Sequence, residues 1–145
     1  MKRVNQSHRT ATARKSISVP TRHLLSLDMI QGRVLDFGCG RGFDCNHLNC
    51  DGYDPYYQPD RPVGKYDTIL CHFVLNVLPT REERLSIVAE VYDLLRRNGN
   101  AFFTVRNDKK ELNGWTKSST YQTLVKMQLP ILQRTSSHVI YWMGR

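Results

Sequence analysis

No apolar stretch in this 145-residue chain approaches the roughly 20 residues needed to cross a bilayer, and its first residues lack the apolar core of a secretory signal. Neither a membrane span nor export is expected, which leaves a cytoplasmic protein. Cysteine is scarce: the four residues at 39, 45, 50 and 71 form no Cys-x-x-Cys pair, so reduced thiols are the default. Cys45, His47 and Cys50 lie close together, but their spacing matches no familiar zinc pattern, and no metal is expected. Acidic residues are missing from Met1 to Ser18, where Lys2, Arg3, Arg9, Arg14 and Lys15 occur with little apolar periodicity. That composition predicts a flexible basic arm over residues 1–18. Internal repeats and low-complexity tracts are absent, and the length leaves one domain over residues 19–145 with no room for a separate substrate-recognition domain.

What the chain does contain is concentrated in Val34-Leu35-Asp36-Phe37-Gly38-Cys39-Gly40-Arg41-Gly42. An apolar run from Arg33 to Phe37 suits a buried parallel strand, and Phe43 to Leu48 suits a short helix beyond the glycines. Glycines at alternate positions allow a sharp turn and a close approach by a ligand. The dinucleotide fingerprint requires Gly-x-Gly-x-x-Gly, and here the third glycine comes one residue early. Asp54, in Asp51-Gly52-Tyr53-Asp54-Pro55, follows Asp36 by 18 positions. That is near the spacing of about 20 residues at which a Rossmann-type fold puts a carboxylate on the ribose hydroxyls.

A helix is predicted downstream from first principles. Thr80 and Glu83 make a capping box, Leu85, Val88, Ala89, Tyr92 and Leu95 recur at helical spacing, and Asn98-Gly99 supplies the stop. Its charges, Arg81, Glu82, Glu83, Glu90, Arg96 and Arg97, read as a solvated face. Upstream, Pro20 opens a second helix over Thr21 to Ile30, ending near Gln31-Gly32.

Together these segments resemble class I S-adenosylmethionine-dependent methyltransferases. The resemblance covers about Arg33 to Arg106: the first motif at Asp36 to Gly42, the second at Asp54, and a fourth at Tyr66-Asp67-Thr68-Ile69-Leu70 with Val74-Leu75-Asn76-Val77-Leu78. The strand after Gly99 completes the pattern. It implies an α/β, Rossmann-like, mostly parallel sheet closed by a C-terminal antiparallel hairpin, and S-adenosyl-L-methionine as cofactor. Carried onto this chain, the cofactor residues are Asp36, Phe37, Gly38, Cys39, Gly40, Gly42, Asp54, Pro55, Tyr56, Cys71, His72 and Phe73. His72 and Asn76 are the catalytic candidates. His72 is weighed as a base because imidazole titrates near neutrality, against a structural or cofactor-contacting role.

The chain departs from the family in one region. Between Asp54 and Tyr66 lie 11 residues, including Pro55, Pro59, Pro62 and Gly64, where the family fits a helix, a third strand and another helix. The fold is therefore expected to be reduced by loss of that strand and its flanking helices. Adenine would be held by Tyr56 and Tyr57, or by the arm. The vacated sheet edge is a natural place for a second copy or a partner subunit to pair. After a polar linker from Asn107 to Ser118, two strand-like runs, Thr120 to Met127 and His138 to Met143, are expected to form the closing hairpin.

The acceptor is less determined. Cys71-His72-Phe73 replaces the Asp/Asn-Pro-Pro-Tyr/Phe motif of enzymes that methylate exocyclic base nitrogens, and Cys71 lacks the preceding proline expected of a carbon-5 nucleophile. Charge points to polyanions: 21 Lys and Arg against 13 Asp and Glu give a formal charge of +8. The contact set would be Arg3, Arg9, Arg14, Lys15, Arg106, Lys109, Lys110, Lys117 and Lys126, spanning the arm and the Arg96 to Lys126 region, with Trp115 and Tyr121 for stacking. Ser18-Val19-Pro20-Thr21-Arg22, the loop, Asp54-Pro55-Tyr56 and Val74-Leu75-Asn76-Val77 also resemble methyltransferase-like proteins encoded beside DNA phosphorothioation genes. Two functions stay open: methyl transfer to a nucleic acid (DNA or RNA) or a small molecule, or a catalytically silent cofactor-binding module serving as a partner or scaffold subunit.

Overall fold

A computed structural model describes residues 4–108, 114–116 and 119–145. Its main sheet has six strands: β1 (Val34–Phe37), β2 (Asp51–Tyr53), β3 (Tyr66–His72), β4 (Leu95–Arg106), β7 (Ile131–Arg134) and β8 (His138–Gly144), in the order β2-β1-β3-β4-β8-β7. The first four are parallel, β8 runs antiparallel to β4, and β7 antiparallel to β8. A separate ladder joins β5 (Gly114–Trp115) to β6 (Tyr121–Gln122). This is the expected Rossmann-like α/β fold, and β2 is its edge strand, with no further strand outside it among the described residues.

The residues 54–65 carry the chain from β2 past β1 to β3 without a helix. Arg33 holds this short path in place: its guanidinium donates to Asp51, to Tyr66 and to the carbonyls of Val63 and Lys65. The vacated edge is three residues long, and part of it is covered by the same loop, where Gln58 stands against Gly52 and Arg61 lies 5.0 Å over the Tyr53 ring.

Strand alternation sorts the core into two layers. Leu35, Phe37, Ile69, Cys71, Ala101 and Phe103 face one side with Val139 and Tyr141. There they meet α3 (Arg81–Leu94) through Ile87, Val88, Val91 and Leu94. Leu70, Phe102 and Ile140 face the other side and pack on Leu24 of α1 (Val19–Ser26). Asp36, His72 and Thr104 share the parity of this second face. They continue its apolar rows into polar ones at the C-terminal strand ends, where His72 is in register with Thr104.

Four local expectations change. The capping box on α3 forms in both directions, Glu83 N–H to Thr80 Oγ1 at 3.2 Å and Thr80 N–H to Glu83 Oε2 at 3.0 Å. Its buried stripe, however, is Ile87, Val88, Val91 and Leu94, while Leu85 and Tyr92 face outward. The helix ends at Leu94, and Asn98-Gly99 makes a bulge inside β4, where Gly99 leaves no space for a Cβ between the carbonyls of Arg96 and Tyr66. The first helix stops at Ser26, short of Ile30, because Asp28 turns left-handed at φ 54°.

The closing hairpin is β7 with β8, not Thr120 to Met127 with β8. Thr135-Ser136-Ser137 makes the tight turn, with Thr135 N–H donating to the His138 carbonyl. The alternation in Thr120 to Met127 is real, since Val125 and Met127 cover the core. Its backbone bonds go elsewhere: Tyr121–Gln122 pairs with β5, and Thr123 N–H donates to the Asn76 carbonyl.

Candidate active site

The C-terminal ends of β1, β2 and β3 open into a cavity of about 620 Å³, a size suited to a nucleoside-scale ligand. It brings together Asp36, Phe37, Gly38, Cys39, Gly40 and Gly42 from the glycine loop, Asp54, Pro55 and Tyr56 after β2, and His72 and Phe73 after β3. Three residues expected in the site do not line it: Cys71, Asn76 and Tyr57, whose ring packs edge to face on Tyr56. Cys71 is fully buried on the α3 side of the sheet, one residue out of phase with His72. Asn76 lies buried in a 3₁₀ turn (Leu75–Val77), donating from Nδ2 to Gln122 Oε1 at 3.0 Å, and it does not line the cavity.

The glycine loop is shaped by close packing as much as by open amides. The Gly38 and Cys39 amides both donate to the Tyr53 carbonyl, at 2.7 and 2.9 Å, and the Gly42 amide donates to Cys39. Gly38 sits at φ 85°, and a Cβ there would stand 2.2 Å from a Val74 methyl, so only glycine fits. Asp54 ties the two loops together. One carboxylate oxygen accepts the Gly40 amide, and the other accepts the amides of Tyr56 and Tyr57.

Asp36 forms the cavity's negative floor. It is 4% exposed, and among the described residues its carboxylate receives no hydrogen bond. Burial, with the carboxylates of Asp44 and Asp54 adding and Arg14 opposing, raises its pKa to about 7. Arg14 offsets this only in part, and a ligand cation beside the carboxylate would favour its ionised form.

Asp44, on α2 (Phe43–Leu48), has its acceptors filled instead. It takes Ser18 N–H at 2.8 Å, Ser18 Oγ–H at 2.5 Å and Thr21 Oγ1–H at 2.7 Å. Burial works against its charge, but these donors outweigh burial and hold the pKa below the usual range. The Ser18-Val19-Pro20-Thr21 start of α1 is thereby docked on the start of α2.

His72 bonds Thr104 Oγ1 through Nδ1 at 2.7 Å, and its buried Nε2 has no partner. Burial lowers its pKa to about 4, against the pull of Asp44 and with help from Arg14 and His138, so the ring is neutral at physiological pH. Next to it, Phe73 holds φ 58°, a strained value for a bulky residue. The Phe73 amide is fixed on the Thr104 carbonyl at 2.7 Å. Burial pushes all four cysteine thiols up, so they are protonated at neutral pH. No group of three or more His, Cys, Asp or Glu suited to a metal ion occurs among the described residues.

The basic arm does not hang free. Asn5 Nδ2 donates to the Val77 carbonyl, Gln6 N–H to the Ser119 carbonyl, and Ser7, His8, Thr10, Ala11, Thr12 and Arg14 line the cavity. The His8 ring stacks on Tyr56 at 3.9 Å between centroids, 9° from parallel. Residues 8–140 match the family described as the methyltransferase domain.

The chain belongs to the methyltransferase-domain family. No curated protein matches it. As a methyltransferase it keeps the glycine loop, the second-strand carboxylate and the fourth-motif turn, and among the described residues no strand lies outside β2. Among the described residues, no helix is long and apolar enough to cross a membrane.

Sequence reasoning missed Asp44, Thr104, Ser18, His8 and the inward position of Arg14. Asp44 carried a local signal, a carboxylate two residues past the third glycine; the others depend on contacts across more than 20 positions, as for Arg14 and Asp36 or Ser18 and Asp44. Of the basic contact set, Arg3, Lys109, Lys110 and Lys117 lie outside the described residues. Arg106 is paired with Asp108 at 2.9 Å. Trp115 and Tyr121 pack edge to face on each other.

Proposed function

We propose that this chain is an S-adenosylmethionine-dependent methyltransferase whose cofactor occupies the cavity above β1, β2 and β3. The observation that carries this reading is the Asp36 carboxylate, buried with no hydrogen-bond donor among the described residues and lining the same cavity as Asp54 and the glycine loop. A ligand bearing an ammonium group would add a cation beside Asp36, and the ribose hydroxyls would fall to Asp54. The residues present fit the group. When bound, the cofactor supplies a sulfonium methyl that needs no further activation.

The chain's own task is alignment, which is worth roughly 7–11 kcal/mol when two reactants are held in attack geometry. His72 and Phe73 stand at the β3 end, where an acceptor would approach. A base of pKa about 4 removes protons poorly, so His72 serves as a neutral ring at the β3 end and not as the general base. The +8 charge favours a nucleic-acid acceptor over a neutral metabolite.

The silent-module reading is favoured by one feature: both Asp54 oxygens are already bonded to backbone amides. Calorimetric titration with S-adenosylmethionine and S-adenosylhomocysteine tests the shared premise, and absence of binding by either overturns it. Labelled donor incubated with separate pools of tRNA, DNA and metabolites then separates enzyme from module; label in one pool supports transfer, and none in any pool supports the module.

A further inference from the structure

The arm and the shortened β2–β3 connection meet at one place, the ring pair His8 and Tyr56. Tyr56 is positioned by Asp54, which accepts its amide at 2.9 Å. Its ring is 61% exposed apart from what His8 covers. His8 is positioned from both sides. Two residues before it, Gln6 N–H is bonded to Ser119, and Asn5 is bonded to Val77. Ten residues after it, Ser18 is locked on Asp44. The arm between these anchors crosses the glycine loop closely enough that a Cβ on Gly40 would lie 3.2 Å from Ala11 Cβ.

We infer that His8 is a cofactor-binding residue, supplying the second wall of a purine slot whose first wall is Tyr56, in place of the strand this chain lacks. The inference rests on the proposed cofactor reading. Two flat rings stacked 9° from parallel mark a surface selective for a third flat ring. A base linked to a ribose on Asp54 reaches Tyr56, two residues further on, without leaving the cavity. The rings are in direct contact, so the base enters by parting them by one ring thickness, about 3.5 Å. The anchors at Gln6 and Ser18 lie outside the part that must move, so the wall returns on the far side of the base. Stacking of this kind is tolerant of base identity but demands an aromatic ring on each side.

The test uses the full chain. S-adenosylhomocysteine, adenosine and methionine are titrated separately by calorimetry into the wild type, His8→Ala and His8→Phe, with thermal unfolding of each variant as a fold control. Loss of one stacking wall should weaken S-adenosylhomocysteine and adenosine at least about fivefold in His8→Ala. His8→Phe should restore both, and methionine binding should not change. In wild-type protein, the proton NMR signals of the His8 ring should move upfield when adenosine is added. Equal binding in His8→Ala, or tighter binding as expected of a plug, overturns the inference while leaving the cofactor reading standing. No binding of S-adenosylhomocysteine to the wild type overturns both.

Discussion

The Asp54 carboxylate accepts the backbone amide of Gly40 at 3.1 Å, so the carboxylate that ends the second strand also holds the turn that follows the first. The loops that follow two neighbouring parallel strands are thus set relative to each other.

Replacing Asp54 with Ala frees the amides of Gly40, Tyr56 and Tyr57 at once. Because the site is partly exposed, a loss of about 2 kcal/mol in folding stability is expected from charge-assisted bonds of this kind, measured by denaturant unfolding. Cofactor affinity should fall further than stability does. Unchanged affinity would remove Asp54 from the site.

Asp36→Asn should stabilise the ligand-free protein while abolishing cofactor binding. The folded-state pKa of about 7 lies above the unfolded value, so ionised Asp36 costs stability above neutrality, on the order of 4 kcal/mol. A higher melting temperature at pH 8 with no heat of binding is the expected pair of results. Lower stability in Asp36→Asn would contradict the burial argument.

The pH dependence of stability should show two opposed slopes. Asp36 binds its extra proton in the folded state between about pH 4 and 7, so its contribution falls as pH rises through that window. His72, with a folded pKa near 4, binds fewer protons than the unfolded chain below pH 6.5, so its contribution is lost as pH falls toward 4. Wild type should be nearly flat there with respect to this pair. His72→Gln should grow more stable on acidification from pH 7, and Asp36→Asn less stable below pH 6.5. Parallel curves for all three proteins would refute the assignment.

Binding of a cationic ligand beside Asp36 should release a proton. At pH 6 most of the Asp36 carboxyls are protonated in the free protein, and the ligand's positive charge favours ionisation. Calorimetry in buffers of different ionisation enthalpy should therefore find proton release approaching one per site at pH 6 and fading by pH 8.5. Asp36→Asn would show none.

Asp44→Ala should release the α1 start and the arm together. Three donors converge on this carboxylate, and removing it leaves Ser18 N–H and two hydroxyls without their acceptor. A loss of about 2–3 kcal/mol, with faster amide exchange at Ser18 and Thr21, is expected. Exchange limited to α2 would show that the arm is held by other contacts.

The helices and strands around the glycine loop were legible because each signal is local. Thr80 and Glu83 are three residues apart and form their box wherever the chain goes; the β1, β3 and β4 cores are short apolar runs that only a two-sided sheet can bury. The closing hairpin was not legible. Thr120 to Met127 and Ile131 to Arg134 both have strand character, and only competition for the edge of β8 chooses between them. Cys71 and His72 are adjacent in sequence and opposite in fate, since strand parity sends one into the α3 core and the other to the cavity.

By itself, the sequence determined the fold family and the short path between β2 and β3, and it placed Asp36, the glycines and Asp54 at the ends of two neighbouring strands through their spacing. Tertiary structure decided how those groups are charged and covered. Asp36 is shifted upward, His72 stays neutral and His8 lies on Tyr56 because of contacts between segments far apart in the chain, where burial and proximity, not composition, set the energy.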